Sequence, residues 1–220
     1  MDVYAIIEHI SSFSVLVPFF LCIYRYRWLS ISYKPLAAFL LFGFITDRLY
    51  FAVIPDLEIA NLVINCWGLL EFFLLAGYFF FQSTNKKIRT VITLIFTFYL
   101  IFSIYKYHAT LYLADDSVAP LEAALVILYS ILFLIKLLLD DKILFPMRNS
   151  FFWINTGLLI YFSGSILIFL GNNYLETSYS NDPAIVKLIW GLHHSAGILC
   201  NFLITLGIWQ SKFNLTGSYL

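Results

Sequence analysis

Two adjacent histidines, His193 and His194, stand inside the apolar stretch "IWGLHHSAG" (189–197). A titratable group in hydrocarbon is costly, so it needs a partner or a function. These two have company. Glu71 sits within "CWGLLEFFLL", Asp47 and Arg48 within "FGFITDRLYF", Glu122 within "APLEAALV", and Glu8 with His9 near the start. Carboxylates with imidazoles can hold a metal ion, carry protons near neutral pH, or recognise a small polar ligand. A retinal Schiff base is disfavoured. It needs a lysine in the middle of the last apolar segment, and Lys187, at the outer end, is the only lysine there.

Spacing sorts these residues by helix face. Asn61, Asn65, Gly68 and Glu71 follow the three-and-four rhythm of one face. His193, Gly197 and Asn201 do the same, with His194 turned about 100° away, so the two histidines are not expected to serve one point together. Gly157, Tyr161 and Gly164 form a close-packing side, from which Tyr161 can reach the polar groups. Ser163 and Ser165 add hydroxyls on that segment. The candidate ligand- or proton-binding set is therefore Glu71, Glu122, His193, His194, Asp47, Arg48, Asn65, Tyr161 and Ser163. Asn155 and Asn201 read as links between helices.

The elements that must position them are membrane spans. The 220 residues are 61% hydrophobic and only 12% charged, whereas a soluble domain is nearer half apolar and a quarter charged. Seven segments reach the roughly 20 apolar residues that a span needs: about 4–24, 35–54, 60–81, 88–107, 118–139, 151–171 and 186–209. No connection between them could hold a soluble domain, so 1–220 reads as a single all-α, seven-helix transmembrane domain. The start, "MDVYAIIEHI", lacks a basic n-region and a small-residue cleavage site, so the first segment reads as a retained span. Cys22, Cys66 and Cys200 lie in apolar segments without metal-binding spacing and read as small buried hydrophobes. A formal net charge of zero suggests no nucleic-acid partner.

Ten basic residues (Arg25, Arg27, Lys34, Lys86, Lys87, Arg89, Lys136, Lys142, Arg148, Lys212) fall on one side of these spans, and three (Arg48, Lys106, Lys187) on the other. Basic loops mark the cytoplasm, which places the N-terminus outside and the C-terminus inside a cell's inner membrane. Counted at about 1.5 Å per residue from the outer boundary, most of the polar groups then fall in the outer half, with Glu122 about 6 Å deep and Glu71 deepest at about 16 Å.

Three functional classes follow. A sensor would recognise a small ligand or protons in this outer polar layer and signal through a partner, since the chain carries no output domain. A transporter would pass a small molecule or ion. "Trp-Gly-Leu" recurs at 67–69 and 190–192 in spans of the same direction, as parallel transporter repeats require. An intramembrane hydrolase would need zinc. Alkaline ceramidases and adiponectin receptors hold zinc with a Ser, an Asp and three His, and the parts here are similar (Asp47, Ser163 or Ser165, His9, His193, His194). The adjacent histidines depart from the HxxxH pair of those families, and no cofactor is expected. "FFWINTGLLIYFSGS" (151–165), "GLLEFFLL" (68–75) and "LEAALVILYS" (121–130), with the His193/Asn201 spacing, resemble an uncharacterised family of small bacterial seven-helix membrane proteins. That resemblance implies a signalling context beside a sensor histidine kinase and assigns no activity. An enzyme is the less expected outcome, and no residue pattern sets an oligomeric state.

Overall fold

A computed structural model describes residues 3–110, 117–140, 143–178 and 183–217. Its helices are α1 (Val3–Ser14), α2 (Leu16–Tyr24), α3 (Tyr33–Val53), α4 (Leu57–Gln82), α5 (Lys86–Thr110), α6 (Val118–Leu138), α7 (Ser150–Ser178) and α8 (Pro183–Gly217). There is no strand among the described residues. Among the described residues seven stretches are long and apolar enough to cross a membrane: Val3–Tyr24, Tyr33–Val53, Leu57–Gln82, Lys86–Tyr107, Val118–Leu138, Ser150–Leu170 and Ala184–Ser211. These are the features of a multi-pass membrane protein. In a medium without water each backbone N–H and C=O must find its partner within the segment, and the helix is the local way to do so.

The ends and breaks have local causes. The first stretch is two helices, with a break at Val15. Pro18 has no N–H to offer the Ser14 carbonyl four residues back, and the Ser14 hydroxyl turns to the Ser11 carbonyl at 2.6 Å. Helix α4 begins at Leu57, three residues before the expected 60. The Asp56 side chain caps it by accepting from the Ile59 N–H at 3.2 Å. Helices α7 and α8 run past the expected limits of 171 and 209.

The chain divides into two compact units. One comprises residues 30–122, with α3, α4, α5 and the first turn of α6; the other comprises 1–29 with 123–220. In the first, α3 packs on α4 and α4 on α5. The Trp67 ring edge lies 3.4 Å from where a β-carbon on Gly43 would stand, and the ring stacks on Phe39. Phe72 and Tyr99, both fully buried, meet with ring centres 4.1 Å apart.

In the other unit α7 lies along α8, and α1 and α2 also pack on α8. A β-carbon on Gly157 would stand 3.1 Å from the Cys200 carbonyl, and one on Gly164 would stand 3.9 Å from Ala196 Cβ. The small-residue side of α7 therefore faces α8. Asn201 donates to the Ser14 hydroxyl at 2.8 Å, an interhelical link. Asn155 instead donates to Phe151 O on its own helix. Buried Arg25 donates to the carbonyls of Ile208, at 3.3 Å, and Trp209, and its guanidinium lies 4.3 Å from the centre of the Trp209 ring. Cys22 and Cys200 are buried as expected, but Cys66 is exposed. An outward face of an apolar helix suits a small thiol as well as a core does, so composition could not separate the two.

Candidate functional site

Within the unit 30–122, the polar face of α4 meets α5 and the start of α6. Trp67, one turn before Glu71, lies on the same side of α4 and interacts with the Glu71 side chain. The ring is itself held by Phe39 and by the space at Gly43. Glu122 is buried. Its Oε2 accepts from the Tyr99 hydroxyl at 3.0 Å, while its Oε1 is buried with no hydrogen-bond partner. Glu71 and Glu122 are close enough to interact electrostatically. Gly68 makes the approach possible: a β-carbon there would stand 3.4 Å from Glu122 Oε2, 3.8 Å from the Tyr107 hydroxyl and 4.0 Å from the Tyr99 hydroxyl. Three oxygens from two helices thus point at one glycine of a third. Among the described residues no Lys, Arg or His forms an ion pair with either glutamate.

Asp47 and Arg48 form an ion pair in the same unit. Arg48 Nη2 lies 2.6 Å from Asp47 Oδ2, and the guanidinium sits over the Phe51 ring at 4.9 Å. Both side chains are about one-third exposed, at 32% and 38%. That is the setting of a local ion pair. Asn65, two turns before Phe72 on α4, is buried.

The histidines belong to the other unit. His193 faces α7, where Tyr161 Oη lies 3.4 Å from Nε2 and Ser165 Oγ 3.3 Å from Nδ1, both long for hydrogen bonds. Ser165 has one hydroxyl proton and donates it to the Tyr161 carbonyl at 2.8 Å. Its oxygen therefore accepts from His193 Nδ1–H, and in the neutral ring Nε2 accepts from the Tyr161 hydroxyl. Trp190 meets the His193 ring edge-on at 5.6 Å. His194 lies against Tyr4 of α1, with ring centres 5.9 Å apart, so the two imidazoles take different neighbours. Of the two serines, Ser165 meets His193. Ser163 is about 200° round the helix from it.

The sequence reading missed Trp67, Tyr99 and Tyr107. No family model, curated protein or solved structure matches this chain. Among the described residues no three His, Cys, Asp or Glu side chains group as a metal-ligand set.

Proposed function

We propose that the chain is an inner-membrane receptor, with its N-terminus outside and its C-terminus cytoplasmic. It recognises a small ligand or protons through Glu71 and Glu122 and passes the signal to a partner such as a sensor kinase. The observation that carries this reading is the carboxyl pair. Two like-charged groups side by side among apolar helices are unstable unless a proton or a cation joins them. The pair is therefore a place where an arriving charge changes the energy of the packing among α4, α5 and α6. Membership of the small bacterial seven-helix family belongs to the same proposal, as does the orientation, which rests on the ten-to-three distribution of basic residues. The short basic cytoplasmic loops suit docking.

Transport is the second reading, and one observation favours it. Glu71 lies near the middle of the 26-residue α4, the depth at which transporter sites sit. Reconstitution of the purified chain in liposomes separates the two. Absence of ion or substrate flux, together with a co-purified partner whose output changes in Glu122→Gln, supports the receptor. Flux lost in Glu71→Gln replaces it with a transporter, and turnover of a lipid replaces it with a hydrolase.

A further inference from the structure

We infer that Glu71 and Glu122 together hold a hard divalent cation of the calcium or magnesium class, with Tyr99 and Tyr107 as its neutral neighbours and Gly68 keeping the space open. This rests on the site named under the proposed function and specifies its ligand. The first argument is charge. Among the described residues no Lys, Arg or His pairs with either carboxyl, so when both are ionised one divalent ion balances them where a single monovalent ion cannot. The second is the donor set. Glu122 Oε1 is buried without a partner, and each carboxylate oxygen can accept more than one bond, so the site offers unused oxygen lone pairs. Hard cations take oxygen ligands, calcium at about 2.3–2.6 Å and in flexible geometry. The third is convergence. The oxygens of Glu122, Tyr107 and Tyr99 lie 3.4, 3.8 and 4.0 Å from one point above Gly68, so three oxygens gather within about one ion's reach of it. Glu71 lies one turn after Gly68 on the same face of α4, which places its carboxyl beside this group of oxygens.

The test is uptake of radioactive calcium by the full chain in nanodiscs of zwitterionic phosphatidylcholine, with magnesium and sodium as competitors. We expect about one saturable calcium per chain, displaced by magnesium and not by equal sodium. Affinity should fall at least about tenfold in Glu122→Gln and Glu71→Gln, and stay unchanged in Glu58→Gln, an exposed acid in the first turn of α4. Should either Gln variant fail to fold, Gly68→Ala serves instead. Its β-carbon makes only ordinary contact at 3.4 Å, so the fold stands while the space for the ion is lost. No saturable divalent uptake, uptake of sodium alone, or uptake unaltered in the Glu71, Glu122 and Gly68 variants overturns the inference. If calcium fails to bind yet Glu122→Gln still alters the partner's output, the inference falls and the receptor reading stands. If calcium binds and neither flux nor partner responds, the receptor reading falls and the cation site stands.

Discussion

Replacing Gly207 by Ala should force α7 and α8 apart, and the structure gives the size of the effect. The new β-carbon would stand 2.6 Å from Ile154 Cγ1 and 2.7 Å from the Ser150 carbonyl oxygen. The isoleucine can change rotamer, but the carbonyl is backbone and cannot. Ordinary contact begins near 3.4 Å, so the helices must part locally by about 0.7 Å. Overpacking of this kind costs about 1–3 kcal/mol, and the better helix propensity of Ala offsets up to about 1 kcal/mol of it. Gly164→Ala on the same interface is the control. Its β-carbon would meet Ala196 Cβ at 3.9 Å, so it fits, and the propensity gain of up to about 1 kcal/mol should show undiminished. The two substitutions are chemically identical and should have opposite signs. Equilibrium unfolding in mixed micelles of mild detergent and dodecyl sulfate, followed by far-ultraviolet circular dichroism, measures both. A Gly207→Ala protein at least as stable as Gly164→Ala would refute the packing argument. It would also remove the basis for the α7–α8 register that sets His193 against Tyr161 and Ser165.

Three further outcomes are expected. With Cys22, Cys66 and Cys200 replaced by Ala, a cysteine at Glu58 should react with an impermeant maleimide in intact cells and one at Asn85 should not; the reverse labelling would invert the orientation. Arg25→Ala removes charge-assisted bonds to Ile208 and Trp209 together with a ring contact, and should cost about 1.5–3 kcal/mol in the same unfolding assay. Arg25→Lys should recover only part of this, because an ammonium lacks the planar face that lies over Trp209. The neutral His193 ring should carry its proton on Nδ1, which the shifts of isotope-labelled imidazole nitrogens report. Ser165→Ala should weaken that preference, and an Nε2–H tautomer in the wild type would contradict the hydrogen-bond order drawn from Ser165.

The spans are legible in the sequence because water-soluble chains seldom carry apolar runs of hydrocarbon length; the observed stretches differ from the expected ones by only a few residues. The site is legible in part. The stripe Asn61, Asn65, Gly68, Glu71 is visible from spacing alone, and it is the face of α4 that the structure turns toward Glu122. Depth was the weaker guide. Gly68 lies eleven residues into α4 and Glu122 four residues into α6, yet they are in contact. At about 1.5 Å per residue the two helix starts are therefore offset by about 10 Å, so distance from a span's edge does not measure a common level. Tyr99 and Tyr107 were hidden for a different reason. With 15 tyrosines in an aromatic chain, nothing in type or period marks the two whose hydroxyls turn to a carboxylate. The one usable signal was Gly68. A glycine within a polar stripe of a membrane helix costs helix propensity and provides no polar group, so its place there is explained by what approaches it. Here that is the carboxylate of Glu122, brought in by another helix and held by Tyr99.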